Sequence, residues 1–174
     1  MTTDNQQEIL DVVNDRDEVV AQAARGEIHR RGLMHRAVHI FVFNPAGELY
    51  LQKRSQTKDT FAGCYDSSAS GHLDAGETYD ACARRELHEE LGLEADAGLT
   101  WMFKIPASAG TSGEHVAFYV WQTDALPQPN PQEIESGRFY TLAEIVVMAQ
   151  ADPTQFANAF LKVFHEFGEQ LGRG

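Results

Sequence analysis

Cysteine is scarce in this chain of 174 residues, which contains only Cys64 and Cys82. Two cysteines are too few for a disulfide framework, and this pair lacks the spacing of metal ligands. We therefore expect two reduced thiols. The chain is long enough to bury a sizeable hydrophobic core, so it has no need of covalent cross-links.

Basic residues are also few. Lys and Arg number 14 against 26 acidic residues, which gives a formal charge of −12. Surfaces that bind nucleic acid or anionic membranes need clustered Lys and Arg, so neither partner is expected. A small phosphorylated ligand remains compatible with this charge, because a divalent metal ion can supply positive charge locally.

Long apolar segments are missing as well. No apolar run approaches the roughly 20 residues of a membrane span. The N-terminal eight residues have neither the basic nor the apolar region of a secretion signal. These absences predict a cytoplasmic protein, and the lack of repeats or a convincing boundary predicts one domain over residues 1–174.

Strand and helix patterns mix along the chain, which favours a single α/β domain. Paired short strands are predicted within 8–20, and further strands at 35–43, 48–54, 65–70, 99–105, 115–122 and 133–140. Helices are predicted at 21–31, over the second half of residues 71–93 with its end at Gly92, and over about 153–171. A further helix is predicted to begin at Thr141. The last helix is predicted from apolar residues at helical spacing: Phe156, Phe160, Val163, Phe164, Phe167 and Leu171.

Residues 71–93 carry most of the functional signal. They read Gly, five residues, Glu, seven residues, then Arg-Glu-Leu-His-Glu-Glu-Leu-Gly-Leu. Each fixed position would match by chance with a frequency of roughly 7%. A chance match to the whole pattern is therefore a remote event.

Three glutamates of this stretch, Glu86, Glu89 and Glu90, stand at i, i+3 and i+4 and so share one helix face. On a helical wheel Glu86 and Glu90 fall inside the apolar arc that contains Leu87 and Leu91. Carboxylates that point toward the protein body need a counter-charge. A hard divalent cation such as magnesium satisfies them. Spacing alone leaves a solvated surface cluster open as the alternative.

The neighbours of these glutamates have supporting roles in this interpretation. Arg85 lies one residue off the face and is positioned to pair with Glu89 or Glu77, which would orient a glutamate. Gly71 and Gly76 allow a tight turn and a close approach of backbone to ligand.

The stretch resembles the Nudix box, the signature of hydrolases that split a nucleoside diphosphate linked to another group. The resemblance implies an α/β/α sandwich around a mixed β-sheet, with the box as a loop–helix–loop metal site. It implies that Glu86, Glu89 and Glu90 bind magnesium or manganese, with the Gly71 carbonyl as a further ligand. It also implies that Glu89 or a loop glutamate acts as general base.

Residues 30–73 resemble isopentenyl-diphosphate isomerase, a branch of the same fold that does not hydrolyse. This resemblance places His35 and His72 at metal-ligand positions, and Glu114 at an acidic position that binds metal and transfers protons. It places Arg54 and Lys58 where basic residues hold the diphosphate. Each of these five also has a structural interpretation, such as a satisfied strand histidine or a surface lysine.

Ser70 separates the two resemblances. It stands where the isomerase has the cysteine that proton transfer at carbon requires, and a hydroxyl is a far weaker acid than a thiol. The isomerase box is also degraded, whereas this one is complete. We therefore expect a pyrophosphohydrolase in the isomerase-like branch, acting on a nucleoside-diphosphate-like or other organic diphosphate.

Three other interpretations remain open: an isomerase-type enzyme, a ligand-sensing Nudix module without catalysis, and an acidic surface that docks another protein. The oligomeric state is open too, a homodimer included. Specificity is expected to lie in an N-terminal extension of about 1–33 and in loops 55–64 and 106–114, because fold alone does not choose a substrate.

Overall fold

The computed structural model describes residue 2 and residues 4–172. Its strands are β1 (Ile9–Val13), β2 (Val19–Ala24), β3 (His35–Phe43), β4 (Leu49–Arg54), β5 (Tyr65–Asp66), β6 (Ala69–His72), β7 (Thr100–Ile105), β8 (Glu114–Gln122) and β9 (Ile134–Tyr140). Its helices are α1 (Arg25–Arg31), α2 (Tyr79–Leu91), α3 (Leu142–Ala151) and α4 (Asn158–Gly172).

The central sheet is mixed and runs in the order β5-β4-β3-β8-β7, with β6 beside β3 and β9 beside β4. β3 and β8 are parallel, and the other pairs of this sheet are antiparallel. The parallel register sets His35 directly beside Glu114. β6 ends at His72 on the other side of β3, opposite Ala37. Three chain segments thus bring polar residues to one end of the sheet.

Strand β3 is buried along almost its whole length because both faces of the sheet are covered. Val38, Ile40 and Val42 point to the face that packs against α2. The alternate residues Phe41 and Phe43 point to the face that packs against α3 and α4. The expected α/β/α sandwich is confirmed.

Helix α2 is the helix of the sequence motif, and its ends follow ordinary capping rules. The Thr78 hydroxyl accepts a hydrogen bond from the Ala81 amide at the N-terminus, and Gly92 adopts a left-handed conformation (φ 63°) at the C-terminus. Its inner face buries Leu87 and Leu91, as the helical wheel predicts.

Helix α4 supplies aromatic side chains to the opposite core. Phe156, which precedes the helix, and Phe160 stack with ring centroids 5.4 Å apart. Phe167 reaches Phe43 at the far end of β3. The prediction was wrong for Leu171, which is 55% exposed, because it lies one turn beyond the last residue that contacts the sheet. The helix begins at Asn158, after a short 3₁₀ turn at Pro153–Gln155.

Two predicted elements have different boundaries in the structure. Residues 21–24 are not helical but complete β2, with Val12 opposite Ala21 and Ile9 opposite Ala24, so hydrogen bonds to β1 override the helix propensity of alanine. The strand predicted at 65–70 is two strands, because Tyr65–Asp66 pairs with β4 whereas Ala69–His72 pairs with β3. The capping box of α3, Thr141 with Glu144, is confirmed.

The β1–β2 hairpin braces the loop that precedes α2. The Ala75 amide donates to the Ile9 carbonyl (3.0 Å), and the Gly76 amide donates to the Asp11 carboxylate (2.9 Å). Gly76 has φ 79°, which suits glycine. The hairpin therefore holds the loop that leads into the glutamate helix.

Both cysteines are free thiols, as predicted. Within residue 2 and residues 4–172, no helix has the length and apolarity that a membrane crossing requires.

Candidate active site

A cleft of about 690 Å³ opens where the end of the sheet meets α2. Its walls come from the N-terminal segment, α1, β3, β6, α2, the loop after β4 and the start of β8. The lining is rich in ionisable groups: Asp4, Glu8, Arg25, His29, His39, Arg54, Lys58, His72, Arg85, Glu86, Glu89, Glu90 and Glu114. A cleft of this size fits a ligand of nucleotide dimensions.

Glu86 and Glu90 lie at the inner side of α2 and are 8% and 4% exposed. The Glu90 carboxylate accepts hydrogen bonds from the Gln52 side chain (2.7 Å) and from the Ser70 amide (3.2 Å). Glu86 lies directly against Gly71, where an added Cβ would overlap its carboxylate. The predicted inward orientation of these two glutamates is confirmed, and Gly71 is the residue that leaves room for it.

The cations of the protein compensate the two buried carboxylates only in part. Burial raises the pKa of Glu90 to about 7, although Lys58 and Arg54 work against this rise. Burial and the neighbouring Glu90 raise the pKa of Glu86 well above its ordinary value. Holding both groups ionised at neutral pH needs more positive charge than the described residues provide, and oxygen ligands of this kind suit a divalent cation.

Glu89 differs from the other two. Its side chain is 54% exposed, and it accepts a hydrogen bond from Arg85 (3.1 Å) at the rim of the cleft. The three glutamates therefore share a helix face without converging on one point in this structure.

Arg85 ties the helix to the loop before it. Its guanidinium binds Glu77 through two bonds of 2.9 Å, reaches Glu86 (2.7 Å) and donates to the His72 carbonyl (3.0 Å). These bonds raise the pKa of Arg85, and Arg85 in turn lowers the pKa of Glu77 against the effect of burial. The expected pairing with Glu77 and Glu89 is confirmed.

A second polar cluster lies on the adjoining side of the cleft. Three histidines each offer one ring nitrogen as a potential metal ligand, and these nitrogens lie within 4.8 Å of one another. The histidines are His29, His35 and His72. The Glu114 carboxylate is 3.0 Å from His72 Nε2 and 3.6 Å from His35 Nε2. The structure thus brings together His35, His72 and Glu114, and it adds His29, which the sequence reasoning missed.

His35 shows why this cluster suits a cation. Its Nδ1 lies 2.9 Å from the Leu33 carbonyl, which only accepts, so Nδ1 carries the proton. Its Nε2 then presents a lone pair, is buried, and has no hydrogen-bond partner among the described residues. Two acceptors, this nitrogen and the Glu114 carboxylate, face each other. Imidazole and carboxylate ligands together suit a transition-metal ion.

Protonation at this cluster follows burial. Burial lowers the pKa of His72 to about 4, so its ring is neutral at pH 7. Burial also lowers the pKa of His29, with Arg25 acting in the same direction. Burial works against ionisation of Glu114, yet the neighbouring imidazoles keep its pKa below the ordinary value. The cluster therefore presents a neutral His72 ring and an ionised Glu114 carboxylate, the states that metal binding requires.

The two predicted phosphate-binding residues lie in the cleft wall, but both are engaged. Lys58 binds Asp4 (2.5 Å) and Glu133 (2.6 Å). Arg54 binds Asp66 (3.2 Å).

Arg25 is a third cation in this wall, and the sequence reasoning missed it. It binds Asp4 (3.1 Å) and Asp59 (2.9 Å), and its Nε is buried without a partner within the described part of the chain. It sits at the first residue of α1, inside the range predicted as uninterrupted helix. The Asp4 carboxylate forms ion pairs with both Arg25 and Lys58.

Comparison with known proteins identifies the family. The sequence pattern of the NUDIX domain matches residues 33–163 of this chain. The chain belongs to the Nudix family. Hydrolases of this family act on pyrophosphate bonds in general.

Similar Nudix-family sequences carry two kinds of name. A Nudix hydrolase of Deinococcus radiodurans is 38% identical over 136 residues, covering 77% of this chain and 79% of the relative. An isopentenyl-diphosphate Δ-isomerase of Serratia proteamaculans is 30% identical over 165 residues, covering 92% of both. Both resemblances noted in the sequence are thus confirmed at the level of the family.

Solved structures agree with the fold. A crystal structure from Deinococcus radiodurans has a TM-score of 0.74 and 35% identity, covering 83% of this chain and 90% of that one. The NUDIX domain of Shewanella oneidensis NrtR, crystallised with ADP ribose, has a TM-score of 0.64 at 15% identity, covering 79% and 88%. At that identity the second likeness concerns the fold alone.

Proposed function

We propose that this Nudix protein is a metal-dependent hydrolase that cleaves the P–O–P linkage of an organic diphosphate. The observation that carries the proposal is the pair of buried carboxylates, Glu86 and Glu90, held at the base of the cleft. Burial raises the pKa of both groups, and a divalent cation would supply the positive charge that favours their ionised forms. A purely structural helix would gain stability from apolar residues at these positions.

Glu86 and Glu90 would hold magnesium or manganese together with the Gly71 carbonyl and Glu89 at the rim. Nudix enzymes generally use divalent metal ions. A cation bound there would supply charge neutralisation to phosphate oxygens and acidity to a coordinated water. His35, His72, His29 and Glu114 would form a second cation site with softer ligands.

The chain's own residues would divide the remaining work. Of the three glutamates, Glu89 is the one with an exposed side chain, so it can accept a proton from an attacking water. Glu114 is the alternative base, held between two imidazoles. Arg85 would position Glu89 and Glu86 through its hydrogen bonds. Arg54 and Lys58 would stabilise charge on the departing phosphate.

The substrate is proposed to be a small molecule with a diphosphate group, of nucleoside-diphosphate type or a related organic diphosphate. The ADP ribose bound to the NrtR domain is such a molecule. In this chain the expected specificity segments contribute Asp4, Glu8, Lys58, Phe61 and Ser112 to the cleft. The proposal treats residues 1–174 as one Nudix domain, since the N-terminal segment and the residues before α4 both line this cleft.

Glu90→Gln tests the proposal. Wild-type protein with magnesium is expected to cleave at least one member of a diphosphate panel in a phosphatase-coupled assay, and the variant is expected to lose that activity while keeping its fold. Glu27→Gln is the matched control, because Glu27 is an exposed partner of Arg31 outside the cleft. Near-wild-type phosphate release by Glu90→Gln would refute the assignment.

A second candidate is an isopentenyl-diphosphate isomerase. The relatives with that name and the histidine cluster with Glu114 favour it. Ser70 argues against it, because a hydroxyl replaces the acid that the isomerase needs. Incubation of isopentenyl diphosphate with the protein and magnesium or manganese, followed by proton NMR, decides between them. Appearance of the allylic isomer would support this candidate over hydrolysis.

A further inference from the structure

His39 is a buried cleft residue that has no role in the proposed mechanism. It occupies the middle of β3, and its residue exposure is 4%. It nevertheless lines the cleft. A buried polar side chain needs hydrogen-bond partners. The two nitrogens of the His39 ring, Nδ1 and Nε2, differ in this respect.

The protein fixes one edge of the His39 ring. Nδ1 lies 2.7 Å from the Ser67 hydroxyl and 3.7 Å from the Asp66 carboxylate. The Ser67 amide donates to the same carboxylate (2.7 Å), and Arg54 holds its other oxygen (3.2 Å). The ring is therefore oriented by a network that ends on a cation of the cleft wall.

The other edge of the ring is available. No hydrogen bond joins His39 Nε2 to another group in the described part of the chain. If the Ser67 hydroxyl donates to Nδ1, then Nε2 carries the proton and is a donor toward the cleft. A buried, oriented imidazole with one engaged nitrogen is what a binding site for an acceptor requires.

His39 is connected to both parts of the proposed site. Across the β3–β6 pair it stands opposite Ser70, so both side chains lie on the same face of the sheet. The Ser70 amide binds Glu90, whereas the Asp66 network behind the ring leads to Arg54. His39 is thus connected through its strand neighbour Ser70 to Glu90, and through Asp66 to Arg54.

The two cations that are predicted to hold phosphate are already engaged. Lys58 and Arg54 already bind carboxylates of the protein. Phosphate oxygens are acceptors, so a neutral donor that is not engaged by the protein adds an interaction without displacing an ion pair.

We propose that His39 contacts the substrate, with its Nε2–H donating to a phosphate oxygen of the bound diphosphate and Ser67 holding the ring in that orientation. The inference rests on the proposed function and names a residue that positions its substrate.

Two substitutions separate this role from a structural one. His39→Gln places an amide near the position of Nε2, whereas His39→Asn places one near Nδ1 and leaves the cleft side empty. The probe is methylenediphosphonate, a diphosphate that cannot be hydrolysed, titrated calorimetrically in the presence of magnesium. Asn is expected to weaken binding about tenfold or more and Gln by only a few-fold, since one hydrogen bond to a charged group is worth about that much.

A merely structural histidine gives the opposite order, because Asn keeps the bond to Ser67. Retained binding in His39→Asn, or equal loss in both variants, would overturn the proposal. If a variant folds poorly, a measurement on the wild-type protein still tests the proposal. The ¹⁵N resonance of His39 Nε2 is expected to shift when the probe is added, and an unchanged resonance at saturation would also overturn the proposal.

Failure of the proposed function looks different in the same experiments. Wild-type protein that binds no diphosphate with magnesium would remove the proposed function and this inference together. Wild-type binding that His39→Asn leaves intact would remove the inference about His39 alone.

Discussion

Glu90 allows a quantitative test, because the same substitution is expected to raise stability and to remove activity. Burial raises the pKa of Glu90 in the folded chain from 4.5 to about 7, whereas the unfolded chain keeps an ordinary value. At low pH the carboxyl is protonated in both states and costs nothing. As the pH rises from about 4.5 to about 7, the unfolded chain ionises first, so the folded state loses stability.

Glu90→Gln removes this cost. Glutamine keeps an oxygen that can accept from Gln52 and from the Ser70 amide. With about 1.4 kcal/mol per pKa unit, the metal-free variant is expected to gain about 3 kcal/mol of unfolding free energy at about pH 8 and about 1 kcal/mol at about pH 5. For a chain of this size the larger gain raises Tm by roughly 6–12 °C.

Urea unfolding in the presence of EDTA at the two pH values measures the gain. Glu89→Gln is the matched control, because that side chain is 54% exposed and its charge is already solvated. A variant no more stable than wild type at the higher pH, or a gain independent of pH, would refute the reasoning. Magnesium at about 100 times its Kd should add about 2.7 kcal/mol to wild type and much less to the variant.

Three further changes test other parts of the site. Arg85→Lys keeps the charge but loses the planar fork that binds the glutamates, so we expect kcat/KM to fall about 10- to 100-fold; an unchanged value in steady-state kinetics would contradict the positioning role. Gly71→Ala puts a Cβ into a box carboxylate and should cost about 1–3 kcal/mol in urea unfolding. Gly168→Ala, which meets nothing within 4 Å, is its control and should cost nothing. Asp4→Asn releases Lys58 from an ion pair, so calorimetry should show pyrophosphate binding several-fold tighter; weaker binding would show that Asp4 assists the site.

The carboxylate site was predictable because its geometry is local. Spacing of i and i+4 places Glu86 and Glu90 on one side of α2 whatever the rest of the fold does, and the apolar pattern of that helix tells which side is inner. The role of Gly71 was not predicted correctly: it forms no tight turn but lies in β6, where its lack of a Cβ leaves room for the Glu86 carboxylate. Burial of β3 was predicted from its Val, Ile and Phe content, whereas the layers on both faces of the sheet were expected from the family resemblance.

The rest of the cleft depends on contacts between distant segments. His29 and Arg25 were missed because a helical pattern does not show which part of the fold the helix packs against. In the structure the ring centroids of His29 and His35 are 5.3 Å apart. The pairing of Asp4 with Lys58 joins residues that no local pattern connects. Such pairings depend on tertiary packing.

His39 shows a third limit. In the sequence it is one polar residue in a strand of Val, Ile and Phe, where a satisfied core histidine is the ordinary interpretation. Only the register with β6 and the bond to Ser67 show that one ring edge is fixed and the other faces the cleft.

Phosphorus NMR on a panel of organic diphosphates tests the proposed hydrolysis most directly. Wild-type protein with magnesium is predicted to convert at least one member to two products that each carry a phosphate group. EDTA and Glu90→Gln are each predicted to abolish this conversion, and Glu27→Gln is predicted to leave it intact. Cleavage that survives in Glu90→Gln, or a panel left untouched by wild type, would contradict a metal-dependent diphosphate hydrolase built on Glu86 and Glu90.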